Sequence, residues 1–201
     1  SWRNSDDGFV RDVHVSKLII DPNNNNVFYA TTQGATEYTD KVGDGAGVFK
    51  SNDRGNSWTQ INNGLDSLET NILTVDPNDS ETLYLGTDDD GVYKSTDGGE
   101  SWKKLTVSSL SKSFGVGDII VDPQNSNNIY IGTVDYFRLS ESRGVLGDFG
   151  VYKSTDGGAT WEEFNAGLNH LGVFSLELSE ENRILYAGTR AGGVYWISLD
   201  N

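Results

Sequence analysis

The stretch GVYKSTDGGESW at residues 91–102 has two further copies along the chain. GVFKSNDRGNSW at residues 47–58 and GVYKSTDGGATW at residues 150–161 align with it without gaps, and a degenerate fourth copy, GVYWISLDN, begins at Gly193. In each full copy a Ser-x-Asp-x-Gly segment separates a Gly-Val-aromatic-Lys run from a tryptophan. Short polar residues and glycine are typical of turns, whereas tryptophan is usually buried. The pattern predicts a repeated turn that joins two strands.

Two apolar runs precede each copy, so every repeat contains four short strands. In LTVDPNDSETLYLGT, residues 73–87, the first run ends at Asp-Pro, where proline favours a turn and blocks further pairing. Runs rich in valine, isoleucine and aromatic residues predict β structure, and no segment predicts a helix. The Gly-Val starts are 44, 59 and 43 residues apart. Four-stranded repeats at this spacing are typical of β-propeller blades, whose two apolar faces are covered by neighbouring blades.

Composition excludes several classes of function. The chain has 201 residues with no cysteine and no methionine, and its 30 acidic and 15 basic residues give a net charge of −15. The absence of cysteine excludes a disulfide scaffold, thiolate zinc and a cysteine nucleophile. The negative charge repels phosphate backbones and anionic membranes, so we expect no nucleic-acid partner. No apolar run approaches the roughly 18 residues of a membrane span, and we expect no membrane insertion.

The repeated S-x-D-x-G-x-x-W pattern resembles the Asp-box of the bacterial neuraminidase-type repeat. That family includes sortilin-type receptors, xyloglucanases, sialidases and a photosystem II assembly factor, so the resemblance implies a propeller and leaves the function open. It implies that the aspartate and serine bind the turn backbone, that glycine supplies a positive φ, and that tryptophan fills the space between sheets. The residues expected in these structural roles are Ser51, Asp53, Gly55, Trp58, Ser95, Asp97, Gly99, Trp102, Ser154, Asp156, Gly158 and Trp161.

The predicted fold is therefore all-β: a β-propeller of four four-stranded antiparallel blades in a single domain, residues 1–201. The repeats are expected at about residues 10–62, 68–106, 114–165 and 171–201. Ser1-Trp2-Arg3-Asn4 aligns with residues 57–60, so residues 1–4 are predicted to complete the last blade as its outer strand. A half-ring of a larger propeller, or two chains that share one eight-bladed ring, satisfies the same alignment.

Two long connections between the second and third strands are the predicted recognition elements. They comprise residues 33–46 and 134–149, and in propellers of this strand order they lie on the rim opposite the Asp-boxes. Tyrosine beside carboxylates suits a sugar, but tyrosine and arginine also dominate protein interfaces. A purely structural role, in which the connections cover the pore or pack on each other, is the alternative. The candidate ligand-binding residues are Tyr38, Asp40, Asp88, Asp135, Tyr136, Arg138, Glu141 and His170.

These features favour a non-catalytic propeller that binds a polysaccharide or a protein through the rim opposite the Asp-boxes. Glycosidases need two carboxylates at about 5 to 10 Å, but among 30 acidic residues such a pair arises by chance. We therefore predict no catalytic residue, no metal ligand and no cofactor. A secreted xyloglucanase-like glycoside hydrolase and a structural subunit of an extracellular assembly are the alternatives. The expected location is extracellular or at the cell surface, and the termini would permit a homo-oligomer formed by strand exchange.

Overall fold

The computed structural model describes residues 1–9, 13–34, 45–110, 114–135 and 149–200. Within these ranges the chain forms four antiparallel sheets, with no helix and thus none that could span a membrane. The residues group into two compact units. The first comprises Ser1–Thr87 and Tyr93–Lys104, and the second comprises Asp88–Val92 and Leu105–Asn201.

The first unit contains the first two sheets, apart from Val92. Each sheet is a simple meander in which every strand pairs with the next. The strands are β1 (Val13–Asp21), β2 (Asn24–Gly34), β3 (Val48–Ser51), β4 (Thr59–Gln60), β5 (Thr70–Asp76), β6 (Asp79–Thr87), β7 (Val92–Ser95) and β8 (Lys103–Lys104). The last six residues of β6, 82–87, are all buried, as expected for a strand covered on both faces of its sheet.

The second unit contains the other two sheets, which have the same meander order. The third sheet has four strands and the fourth has three. The strands are β9 (Gly115–Val121), β10 (Ile129–Val134), β11 (Val151–Ser154), β12 (Glu162–Glu163), β13 (Val173–Ser179), β14 (Ile184–Thr189) and β15 (Gly193–Ser198).

One part of the predicted closure is wrong. Ser1–Asn4 form no strand, and the fourth sheet has no fourth strand among the described residues. The adjoining residues 5–9 are instead held in the first unit, where the backbone amide of Trp58 donates a 2.8 Å hydrogen bond to the carbonyl of Asp7. The Trp2 side chain is fully exposed, at 103% of its reference area. The alignment identified a strand-like sequence, but a strand also needs a partner strand, which the alignment does not provide.

In the first three sheets, the turn between the first and second strands explains why strand pairing stops at Asp-Pro. The carboxylate of Asp21 accepts a 2.8 Å hydrogen bond from the backbone amide of Asn23. Asp76 and Asp122 accept the equivalent bonds two residues further along, at 2.9 and 3.0 Å. An aspartate that bonds the backbone two residues ahead forms an Asx-turn, so the sequence reverses direction at the same point in three sheets.

The repeated turns, residues 51–58, 95–102 and 154–161, share one hydrogen-bond network. In the second copy the Ser95 hydroxyl donates to the Asp97 carboxylate at 2.7 Å and accepts from the Gly99 amide at 2.9 Å. The other two copies have the same bonds within 0.1 Å. The glycine has a positive φ in every copy, 93° at Gly99. The three turns therefore share the same internal hydrogen bonds and the same glycine conformation.

Each turn leads into a buried tryptophan. Trp58, Trp102 and Trp161 are 8%, 5% and 7% exposed. In the first unit, Trp102 belongs to a cluster that includes Tyr29 of the first sheet and Leu83 of the second. Its indole nitrogen donates a 2.7 Å hydrogen bond to the carbonyl of Ile61. Trp102 thus packs against residues of both the first and the second sheet.

Candidate binding face

Each four-stranded sheet has two chemically different ends. In the first sheet, the last residues of the first long connection, 45 and 46, precede β3, and the repeated turn, residues 51–58, begins at its last residue. Because these described residues join opposite ends of one strand, they lie at opposite ends of the sheet. We call the end that carries the connection from the second to the third strand the loop end. The connection from one sheet to the next also reaches the loop end, since it follows the fourth strand.

A glutamate ties together both stems of the first long connection. The Glu69 carboxylate accepts hydrogen bonds from the backbone amides of Gly34 at 2.9 Å and Gly45 at 2.7 Å. Glu69 belongs to the connection between the first and second sheets. One side chain thus fixes the two points between which residues 35–44 run.

Threonine and asparagine side chains reinforce this stem. The Thr32 hydroxyl donates to the carbonyl of Gly47 at 2.9 Å and accepts from the amide of Ala46 at 2.9 Å. The Asn62 amide side chain donates to the carbonyl of Ala46 at 2.9 Å and accepts from the amide of Val48 at 2.8 Å. The backbone polar groups on both sides of the stem are therefore bound by protein rather than left to solvent.

The second long connection has the same stem chemistry. The Thr133 hydroxyl donates to the carbonyl of Gly150 at 2.9 Å and accepts from the amide of Phe149 at 3.0 Å. Asn165 bridges Phe149 and Val151 as Asn62 bridges the first stem, at 3.0 and 2.7 Å. Two connections of unrelated sequence thus rest on equivalent anchors.

Asp135 lies at the start of the second long connection and is 1% exposed. Its backbone carbonyl accepts a hydrogen bond from the guanidinium of Arg190 in the connection between β14 and β15. The same guanidinium lies over the ring of Phe174, 5.2 Å from its centroid, and that ring is 39% exposed. Arg190 and Phe174 are therefore the charged and aromatic groups that the fold holds beside this stem.

His170 also lies at the loop end of the second unit. It is exposed, and its ring centroid is 6.4 Å from that of Tyr195. The next residue, Leu171, accepts a 2.9 Å hydrogen bond from the amide of Gly150 in the stem. The structure thus places His170, Asp135 and Arg190 around one stem. Asp88, another of the candidate ligand-binding residues, is buried, at 8% exposed.

The other candidate ligand-binding residues lie outside the described residues. They are Tyr38, Asp40, Tyr136, Arg138 and Glu141. Among the described residues, no group of three or more His, Cys, Asp or Glu side chains is arranged to hold a metal ion.

Sequence reasoning missed the anchors themselves. Asn62 and Asn165 each lie four residues after the tryptophan of a repeated turn and two before a glycine. This shared spacing from the tryptophan and the glycine can be recognised in the sequence. Glu69 has no such counterpart, because its role depends on which backbone amides the fold brings to it.

Comparison with known proteins identifies the family. The model described as sortilin, neurotensin receptor 3, matches residues 46–194. The chain belongs to the Sortilin-Vps10 family. The matched region runs from the stem of the first long connection to β15, so the Sortilin-Vps10 match includes all four Gly-Val starts. A sortilin-type propeller is among those that the repeated turn resembles, and this resemblance is confirmed.

One relative of this Sortilin-Vps10 chain is a xyloglucanase, and a GH74 enzyme has a similar structure. Xyloglucanase Xgh74A of Acetivibrio thermocellus is 36% identical over 96 residues, which are 43% of this chain and 11% of the enzyme. The crystal structure of the Niastella koreensis GH74 enzyme is 26% identical, with a TM-score of 0.66 over 92% of this chain and 28% of that one. The Sortilin-Vps10 chain thus spans a minor part of both relatives.

A third similar structure shows likeness of fold alone. YCF48 bound to D1 peptide matches with a TM-score of 0.63 at 14% identity, over 92% of this chain and 51% of that one. The GH74 and YCF48 structures are β-propellers, so the predicted all-β propeller class is confirmed for the Sortilin-Vps10 chain. Its four antiparallel sheets correspond to propeller blades.

Proposed function

We propose that this chain is a carbohydrate-binding propeller segment that recognises a β-glucan-type polysaccharide through the loop ends of its sheets. The two long connections, residues 33–46 and 134–149, carry the recognition residues. The observation that supports this most directly is the pair of equivalent stems, each tied by threonine and asparagine side chains. The relative that is named a xyloglucanase supplies the ligand class.

Anchored stems favour binding for a thermodynamic reason. A loop that orders only on contact with its ligand loses conformational entropy at that moment, which weakens the affinity. Glu69, Thr32 and Thr133 fix the stems before any ligand arrives. Long connections on a rigid scaffold are also where binding residues are most often found.

The residue types at the loop ends suit a sugar. The apolar C–H face of a pyranose stacks on an aromatic ring, and its hydroxyls need both donors and acceptors. Tyr38 and Tyr136 supply aromatic rings in the long connections, and Asp40 and Glu141 supply acceptors in the same two connections. The exposed His170 adds a group that can donate or accept. Such a binder works outside the cell, where polymeric glycans occur.

Binding to xyloglucan in native affinity gels tests the proposal. We expect the mobility of the wild-type chain to fall as the polymer concentration rises, and Tyr136→Ala and Arg138→Ala to abolish the shift. Arg54→Gly is the matched control, because it removes a guanidinium at the opposite end of the first sheet and suits the φ of 63° found there. Retardation of all variants alike, or of none, would overturn the proposal.

Hydrolysis is the second candidate function, favoured by the 36% identity to a xyloglucanase. An assay for reducing ends separates the two, since a binder releases none from xyloglucan. If reducing ends appear and neutralisation of Asp40, Asp135 or Glu141 abolishes them, the chain is a hydrolase. Binding to a peptide but not to any glucan would instead indicate that the chain recognises proteins.

A further inference from the structure

The turn that follows β4 contains the single Asn-Gly pair of the chain, Asn63-Gly64. The amide of Leu65 donates a 3.0 Å hydrogen bond to the carbonyl of Asn62, and Gly64 has a φ of 91°. A β-turn with a positive φ at its third residue strongly favours glycine there. The fold therefore requires the glycine that makes this pair, and the chemistry of the pair is independent of glycan binding.

Both reacting groups of the pair are accessible. The Asn63 side chain is exposed, and its amide donates a long hydrogen bond, 3.4 Å, to the carbonyl of Glu100. Within the described part of the chain, the backbone amide of Gly64 donates no hydrogen bond. Glycine also has no Cβ that would hinder an approach of its nitrogen to the preceding side chain. The backbone nitrogen of Gly64 can therefore reach the side-chain amide carbon when the Asn63 side chain rotates.

We propose that Asn63 is a site of spontaneous deamidation, with water as the other reactant. The nitrogen of Gly64 forms a bond to Cγ of Asn63, the bond from Cγ to Nδ2 breaks, and ammonia leaves with the amide proton of Gly64. Water then opens the resulting five-membered imide. Opening at Cγ gives aspartate, and opening at the backbone carbonyl carbon gives isoaspartate, in which the main chain runs through the former side chain.

Two equivalent turns indicate that the aspartate product is harmless. The amide of Trp102 donates a 2.8 Å hydrogen bond to the carbonyl of Asn63, and the amide of Trp58 donates one of the same length to the carbonyl of Asp7. An aspartate is thus already accommodated at this position of the turn. In the turn that follows β12 the position holds Ala166, which has no group to lose. Neither residue type at this position disturbs the turn.

The isoaspartate product adds one carbon to the main chain and has no counterpart in the other turns. The space beside Gly64 is already filled, since a Cβ there would lie 2.2 Å from the carbonyl oxygen of Trp102. A longer main chain cannot be taken up on that side. The side chain of the preceding residue, Asn62, accepts from the amide of Val48 in the stem of the first long connection. Isoaspartate therefore loosens both the contact with Trp102 and the asparagine anchor of this stem.

Peptide mapping of the 201-residue chain after incubation at about pH 8.5 and 37 °C tests the reaction. We expect the peptide that contains Asn63 to gain about 1 Da and to accept a methyl group from a protein isoaspartate methyltransferase. Asn63→Ala copies Ala166 and should abolish both signals. Asn56 is the internal control, because it is exposed but precedes a serine, and we expect it to react at least about tenfold more slowly. An unmodified Asn63, under conditions that convert a synthetic peptide of residues 59–67, would overturn the proposal.

Hydrogen exchange on the separated products tests the structural consequence. We expect the amides of Trp102 and Val48 to exchange at least about fivefold faster in the isoaspartate form, because each loses its hydrogen-bond acceptor geometry. Asn63→Asp has the new charge without the added carbon, so both amides should exchange in it as in the wild type. Equal protection in the isoaspartate form and the wild type would contradict the inference. Faster exchange in Asn63→Asp would also contradict it, since charge rather than chain length would then be the cause.

Discussion

The carboxylate of Asp97 accepts two hydrogen bonds from Ser101, one from the backbone amide at 2.9 Å and one from the hydroxyl at 2.6 Å. Asp53 and Asp156 accept the same pair from Ser57 and Thr160. Hydrogen bonds to the charged form favour it, so the Ser101 hydroxyl is the main reason that the pKa of Asp97 is lowered to about 2.

We predict that Ser101→Ala raises the pKa of Asp97 and leaves that of Asp53 at about 2. A folded-state pKa below the unfolded value of about 3.9 stabilises the fold above that pH, and the contribution is lost as the pH falls towards 2. The chemical shifts of the carboxyl carbons, followed by NMR between pH 5 and pH 1.5, measure the pKa of each aspartate. Equal changes in the pKa of Asp53 and of Asp97 in the variant would contradict this account.

Gly64 and Gly167 form a matched pair for a test of the backbone contact between Trp102 and the segment that follows β4. Both have a positive φ, 91° and 81°, so alanine costs about 1–2 kcal/mol of left-handed strain at either site. Only at Gly64 does the new Cβ collide with the carbonyl of Trp102. We predict that Gly64→Ala destabilises the protein by about 3 kcal/mol or more and Gly167→Ala by about 1–2. Urea denaturation at low protein concentration measures both, and equal losses would contradict the prediction.

Glu69 tests whether the first long connection is held at its stem. Glu69→Ala removes an acceptor for the amides of Gly34 and Gly45, and its side chain is half-buried, so we expect a loss of about 1–2 kcal/mol. Hydrogen exchange should accelerate at these two amides in particular. The exposed Glu100 supplies the control, Glu100→Ala, for which we expect neither effect. Unchanged exchange at both glycines in Glu69→Ala would show that the carboxylate does not anchor the stem.

The buried carboxylate of Asp122 tests the turn of the third sheet. Burial raises its pKa, but hydrogen bonds from Arg183 and from the amide of Gln124 outweigh this and hold the pKa below its usual range. The guanidinium of Arg183 binds both carboxylate oxygens, at 2.9 and 2.5 Å. We predict that Arg183→Ala costs about 2–3 kcal/mol at neutral pH, because it leaves a buried charge with fewer partners.

This penalty should depend on pH. Asp122 has a lowered folded-state pKa, so its pairing with Arg183 stabilises the fold above the unfolded pKa of about 3.9 and is lost in more acidic solution. The gap in unfolding free energy between wild type and Arg183→Ala should therefore narrow as the pH falls below about 4. A gap that stays constant down to pH 2 would show that the ion pair is not its cause. Arg183→Lys, which keeps the charge but not the two-pronged geometry, should lie between the two proteins.

The strands were predictable because each depends on local sequence. The Gly-Val-aromatic-Lys run has the alternation and β-branched content of a strand, and Asp-Pro stops the preceding one. Residues 1–4 have an equally strand-like sequence, but they form no strand, because a strand-like sequence does not by itself provide a partner strand. Sequence similarity between repeats shows that a segment can form a strand, but it does not show with which strand the segment pairs.

The candidate site was predictable only in outline. The lengths of the two long connections can be read from the repeat register, and so could the asparagine that anchors each stem. Glu69 could not be found in this way, since nothing in its neighbours along the chain distinguishes it from the other 29 acidic residues. Its role depends on the fold, which brings two backbone amides eleven residues apart to one carboxylate.

Amide chemical shifts during a titration with a xyloglucan oligosaccharide test the proposed function most directly. The account predicts progressive, saturable shifts at the stems, at Gly34, Gly45 and Gly150, and none at Gly55 or Gly99 in the repeated turns at the opposite ends of the sheets. Shifts confined to the repeated turns, or an unchanged spectrum at millimolar oligosaccharide, would contradict it.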